Sequence, residues 1–343
     1  MKKSVIIKMS FFSIISIAFV VYLFFYSNAL AKEKNGKALG FGKEFFLSKI
    51  SFLENIDFNN ESPATQRDSI VRSFTVNSKG TLNVDVSIGD VELKTWDKNE
   101  VNVVVQRKGT ESALENYKVS FESTTNKVTI KSENQKNFWS FGRNLSITFT
   151  IFVPKQFYPD IKTSGGDISI KDLFSDSKLR TSGGDIVILN STGNCEVKTS
   201  GGDLKISSNK GNINAITSGG DITFKNIIGN VNAKTSGGDI DLKEIEGFVE
   251  ASTSGGDIEV EILGENRGVS LSSSGGDIEI SFTGEIKADL DCKTTGGEVS
   301  LNNNNAKFEG TIKSSSIVGK LNGGGPLIKA KTSGGDIEIK YKK

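Results

Sequence analysis

The sequence predicts an all-β chain: a parallel β-solenoid, or β-helix, with coils of about 18 residues and a short N-terminal capping helix. Three observations predict it. The motif Thr/Ser-Ser-Gly-Gly-Asp-Ile/Leu starts at Thr163, Thr181, Thr199, Thr217, Thr235 and Thr253, an interval of 18 each time. It continues more loosely at Ser273, Thr294 and Thr332, with a worn copy near Ser314. Between copies, apolar residues alternate at fixed offsets, as in strands. Composition agrees: 37 Gly and 4 Pro in 343 residues suit many strands joined by tight turns.

Each coil reads as two strands and two corners. Equivalent residues stack in columns, and alternation assigns their direction. Ile168, Ile186, Leu204, Ile222, Ile240, Ile258 and Ile278 form one inward column, and Ile170, Ile188, Ile206, Phe224, Leu242, Val260 and Ile280 the next. Ser169, Lys205, Thr223, Asp241, Glu259 and Glu279 lie between them and face solvent. A second strand supplies Cys195, Ile213, Val231, Val249 and Val269, then Val197, Ala215, Ala233, Ala251 and Leu271. The motif threonines share the inward direction, which makes them an internal hydroxyl ladder and not an exposed ice-binding face.

One corner is the turn ladder Gly165-Gly166-Asp167, Gly183-Gly184-Asp185, Gly201-Gly202-Asp203, Gly219-Gly220-Asp221, Gly237-Gly238-Asp239, Gly255-Gly256-Asp257 and Gly275-Gly276-Asp277. Glycine there is expected to supply a positive φ. The other corner is marked by Gly193, Gly211, Gly229 and Gly247. Ten coils after residue 163 would span roughly 48 Å at the strand spacing. Cys195 and Cys292 fall in inward columns about five coils, or roughly 24 Å, apart, too far for a disulfide. Both are expected to be free and buried.

The aspartate ladder demands compensation, because neighbouring carboxylates about 4.8 Å apart repel by roughly 0.9 kcal/mol per pair in water. One solution is hydrogen bonding to turn N–H groups or Ser hydroxyls, as in Asx turns. Lys162, Arg180, Lys198 and Lys234 offer counter-charge. Another solution is a Ca²⁺ ladder, best placed at Asp239, Asp241, Asp257, Glu259, Asp277 and Glu279. The G-x-D element of Ca²⁺-binding β-rolls is missing, so no cofactor is expected and Ca²⁺ is the alternative.

Residues 1–31 read as an export signal. Lys2, Lys3 and Lys8 precede an uncharged run from Met9 to Ala31 that ends in Ala29-Leu30-Ala31. Uncleaved, that run would anchor the chain in a membrane. Residues 32–69 are expected to be a linker and an amphipathic helix, with Phe46, Ile50 and Leu53 on one face over residues 43 to 56. An open solenoid end needs a cover, and this helix is assigned to it, with a membrane surface as the competing role. Residues 70–162 alternate like strands and read as irregular early coils, with Ser87-Ile88-Gly89-Asp90-Val91 as a degraded motif copy. Residues 163–343 are the regular array. Phe138-Trp139-Ser140-Phe141-Gly142 is expected to be buried under the cap or in the first coils, with a glycan or partner contact as the alternative.

The sequence contains no histidine, which excludes Ser-His, Cys-His and His-metal chemistry. A net charge of +1 gives no basis for nucleic-acid binding. Polysaccharide-cleaving β-helices build clefts from loops inserted between coils, and six copies at a strict 18-residue interval leave no room for them. The surface acids repeat and do not converge, so no catalytic residue is assigned.

The Ser-Gly-Gly-Asp-Ile copies, the Phe152-Val153-Pro154-Lys155 segment and the leader together resemble a bacterial β-strand-repeat family of unknown function often labelled "putative adhesin". The resemblance covers roughly residues 70 to 343. It implies the solenoid fold and supplies no catalytic residues. The expected function is an exported, non-catalytic structural or adhesin-like repeat protein in the periplasm or at the cell surface. Its expected partner is an envelope component, a glycan, or a host or matrix surface, with membrane contact only through the N-terminal segment. The alternatives are a Ca²⁺-binding β-roll-like module and a carbohydrate-active β-helix enzyme.

Overall fold

The computed structural model describes residues 66–134, 145–302 and 306–341. The leader, the helix expected over residues 43 to 56 and the Phe138–Gly142 segment lie outside the described residues. The chain is a β-solenoid with two parallel sheets facing each other across one core. Each 18-residue coil donates a four-residue strand to one sheet, such as Cys195–Lys198. It then turns through Gly-Gly-Asp and donates a seven-residue strand to the other, such as Leu204–Lys210. Neighbouring coils pair in register at offset 18: Ile186 with Leu204, Leu204 with Ile222, and Ile222 with Ile240. Among the described residues eleven coils stack in parallel, those between Ile168 and Ile258 at this offset.

The core is made of the predicted columns. Ile168, Ile186, Leu204, Ile222, Ile240, Ile258 and Ile278 are buried, as are their partners two residues on. On the short strands the columns of Ile213, Val231 and Val249 and of Ala215, Ala233 and Ala251 both point inward and are buried.

A third corner breaks the seven-residue strand. Asp172, Asn190, Ser208, Asn226 and Glu244 adopt left-handed φ values of 53–59° at 18-residue intervals. Four of the five are short polar side chains, and Asn and Asp in particular tolerate that region. The reversal shifts the alternation by one, so the next residue points inward. It creates a further core column of Leu173, Ser191, Asn209, Ile227 and Ile245, absent from the two-corner reading. From Ile258 onward this corner is lost, and the register shifts between Leu242 and Ile245 against their neighbours. The coil lengthens there from 18 residues.

Spatial order departs from chain order at both ends. Thr81–Val86 and Asp90–Trp96 form the second coil, not the first. The chain then moves outward to build the end coil, Lys127–Asn134 with Ser146–Pro154. It returns on the inner side as Tyr158–Thr163 and Ile168–Lys171. At the other end, Ala288–Thr294 and Val299–Asn302 form the outermost coil. The C-terminal coil, Leu327–Thr332 with Ile337–Tyr341, slots between it and the coil of Val269–Ser272 and Ile278–Phe282. Nine long-sheet strands therefore follow residue 163, one fewer than the ten coils read from the motif copies. The worn copy near Ser314 belongs to an antiparallel hairpin, Phe308–Lys313 with Ser316–Leu321.

Antiparallel strands cover the ends. The strand Gln66–Thr75 lies on Glu100–Gly109, which lies on Ser146–Pro154. It starts within the stretch read as linker. Its residues are almost all exposed, so it carries no alternating pattern to read. Tyr117–Thr124 covers the other sheet. Between them sits a six-residue helix, α1, Glu111–Asn116, capped by Thr110. Arg107 ties this end together through the Asp68 carboxylate and the carbonyls of Leu114 and Tyr117. At the far end, Ser316–Leu321 runs antiparallel to Ala288–Thr294. No helix among the described residues is long and apolar enough to cross a membrane.

Candidate functional site

Each motif residue bridges two coils. The Thr217 hydroxyl donates to the carbonyl of Gly202, one coil back, at 3.0 Å, and accepts from the N–H of Gly220 at 3.4 Å. Thr181, Thr199, Thr235 and Thr253 do the same. All are buried, as their direction predicts. The chain of bonds also records the swapped end: Thr332 donates to Gly276, and Thr294 to Gly335.

The aspartates bridge coils through the backbone. Asp167 Oδ1 accepts from the N–H of Asp185 at 2.9 Å, Asp185 from Asp203, and so on through Asp221, Asp239, Asp257 and Asp277 to Asp336. The ladder begins at Asp90, inside the degraded copy. The compensation is thus an N–H from the next coil, where an Asx turn would draw on its own. At Asp203 burial works against the charge, but the Asp221 N–H and the Lys205 ammonium at 2.9 Å outweigh it and hold the carboxyl below its ordinary range.

The glycines act differently from the sequence expectation. None of the Gly-Gly-Asp glycines has a left-handed φ, although Gly89 of the degraded copy does. The second glycine of each pair is required by close approach: a Cβ on Gly202 would meet the Gly184 carbonyl oxygen at 2.0 Å. The first is not so constrained, since a Cβ on Gly201 would meet nothing nearer than 3.7 Å. At the opposite corner Gly193, Gly211 and Gly229 do take positive φ, between 131° and 147°.

That corner carries a second ladder missed in the sequence. Asp176 Oδ1 accepts from the N–H of Asn194, Asn194 from Asn212, Asn212 from Asn230, and Asn230 from Phe248, at 2.7–3.1 Å. The signal was the Gly-Asn dipeptide repeated at Gly193, Gly211 and Gly229.

The six Ca²⁺ candidates divide into two columns. Asp239, Asp257 and Asp277 sit in the turn ladder, each with Oδ1 on a backbone N–H. Asp241, Glu259 and Glu279 sit on the outward face of the long sheet, where lysines lie between them. Lys243 contacts Asp241 at 2.7 Å and Glu259 at 3.7 Å, and Lys340 contacts Glu279 at 2.6 Å. Among the described residues no group of three or more His, Cys, Asp or Glu side chains is placed to hold a metal ion.

Both cysteines are free and buried. Their strands are six positions apart in the sheet, one more than chain order suggests, because the C-terminal strand intervenes. Burial pushes the Cys292 thiol up to about 12 and raises that of Cys195. Cys195 lies beside a buried polar pair, Ser191 with Asn209 at 2.7 Å.

Among curated proteins, none matches this chain. Solved structures with a similar course include a "putative adhesin" from Bacteroides fragilis, 17% identical, covering 80% of this chain and 97% of its own, with a TM-score of 0.41. A "putative adhesin" from Parabacteroides distasonis is 11% identical with the same coverages and a TM-score of 0.43. A "putative lipid binding protein" from the same organism is 13% identical, covering 79% and 96%, with a TM-score of 0.35. Likeness at these values carries no argument about activity. The family model described as Toastrack DUF4097 matches residues 80–340, most of the chain and nearly every coil, and the chain belongs to that family.

Proposed function

We propose that the protein is an exported, non-catalytic repeat protein, structural or adhesin-like, that presents an extended β surface in the cell envelope. The observation that carries this reading is how the polar side chains are used. Turn carboxylates, amides and hydroxyls are spent bridging one coil to the next. The outward carboxylates Asp241, Glu259, Glu279 and Glu338 of the long sheet pair with lysines along the strip. Catalysis needs a few groups held in convergence, with at least one left free to act. A regular strip instead offers many equivalent contacts along one axis, which suits adhesion through an extended surface. The basic, apolar and A-x-A segments of residues 1–31 support export.

The test is binding of the purified chain to extracellular matrix, envelope glycans and intact cells, with product analysis for each glycan. Saturable binding without turnover is expected. No binding to any surface contradicts the adhesive reading, and turnover of a glycan contradicts the non-catalytic one.

A further inference from the structure

A groove of about 540 Å³ runs across the short-strand sheet, along the corner that carries the asparagine ladder. Six residues of one column form its length: Tyr158, Asp176, Asn194, Asn212, Asn230 and Phe248. Five strand spacings of about 4.8 Å place the two aromatic side chains roughly 24 Å apart. Phe248 is exposed although its column is otherwise polar, and Tyr158 is half-buried.

The ladder leaves a specific chemistry on the groove wall. Each asparagine commits Oδ1 to the N–H of the next coil, which fixes the amide orientation. The Nδ2 groups of Asn194, Asn212 and Asn230 then face outward, and they make no hydrogen bond among the described residues. Three amide donors thus repeat at the strand spacing. The site therefore offers a row of fixed donors and an aromatic side chain at each end.

We infer that this groove binds a linear, uncharged glycan, extended along the stack axis. This rests on the adhesin-like reading and gives it a ligand class. A sugar chain presents hydroxyl oxygens that accept from the amides and apolar C–H faces that pack on aromatic side chains. Its residues recur at a spacing close to that of the strands. The acids of the wall are balanced, Glu196 by Lys178 and Arg180 and Glu250 by Lys234, which leaves no surplus cation to hold an anionic chain. A peptide strand is disfavoured because the face of a sheet, unlike its edge, presents no backbone groups to pair with. The volume falls within the range of small-molecule sites, roughly 300–1,000 Å³.

The experiment is calorimetric titration of the full chain with cellohexaose and chitohexaose, with hexagalacturonate and an extended hexapeptide as comparators. At least one neutral hexasaccharide is expected to bind, more tightly than its trisaccharide. Phe248→Ala and Asn212→Asp should each weaken binding about tenfold without moving the melting temperature. Asn212→Asp removes the Nδ2 donor and keeps the bridging oxygen, an arrangement the aspartate corner already sustains. If Phe248→Ala lowers the melting temperature, Phe248→Leu replaces it, since it keeps the apolar bulk and loses the ring. The inference is overturned if neither neutral hexasaccharide binds, if the variants leave binding unchanged, or if the charged sugar or the peptide binds more tightly. Attachment to a matrix or cell surface that survives both variants removes the groove and leaves the adhesive reading standing. Failure to attach to any surface removes the adhesive reading itself.

Discussion

Thr217 shows how much one residue can hold. Its hydroxyl is buried, donates to one coil and accepts from its own, so removing it strands a carbonyl and an N–H inside the core. Thr217→Val should cost about 2 kcal/mol, the usual penalty for an unsatisfied buried polar group, and Thr217→Ser clearly less, by urea unfolding. Equal losses would mean that packing and not bonding sets the column. The adjacent glycines make a sharper contrast. Gly202→Ala drives a methyl into a backbone oxygen that cannot move without shifting a coil, and should cost about 3 kcal/mol. Gly201→Ala, whose methyl would meet nothing nearer than ordinary van der Waals contact, should be nearly neutral. The sequence located these glycines but misassigned their purpose, because identity alone does not separate a need for φ from a need for close approach. A pH dependence follows from the buried thiol. Cys292 is held near 12 against an ordinary value of 9.0. A raised pKa favours the neutral form, so its contribution is complete below pH 9 and is lost as pH climbs toward 12. The urea midpoint should fall across that window, and fall less in Cys292→Ala.

At the scale of elements, the two-strand coil was legible because alternation and an 18-residue interval are direct imprints of a pleated strand and a stacked repeat. The third corner was not. Its residues, Asp172 to Glu244, are polar and variable, and the one-residue shift they impose hides Leu173, Ile227 and Ile245 from a strict period of two. The asparagine ladder was overlooked for a related reason: its repeat is short and only three asparagines long. The exchange of coil order at the ends was invisible, since nothing local distinguishes a strand that extends a stack from one that inserts into it. That insertion has a measurable consequence. The strands Leu327–Thr332 and Ile337–Tyr341 are each paired on both sides, so their amides all find a partner strand. They should resist hydrogen exchange like those of the central coils, although chain termini ordinarily fray. Rapid exchange there would contradict the inserted position.

The stack as a whole contains its own compensation for charge. Backbone N–H groups serve the turn carboxylates, and lysines serve those on the long sheet. A melting curve should therefore be unchanged by a Ca²⁺ chelator, and a clear downward shift would restore the cation ladder. What the stack is for depends on where its faces are displayed. The two native cysteines are buried and unreactive, so a single cysteine introduced as Asn214→Cys on the short-strand face is a clean reporter. The most direct measurement is labelling of that variant in intact cells with a maleimide that cannot cross the cytoplasmic membrane. The proposed function predicts labelling of Asn214→Cys and none of the unmodified chain. Labelling that requires lysis of the cytoplasmic membrane would contradict it.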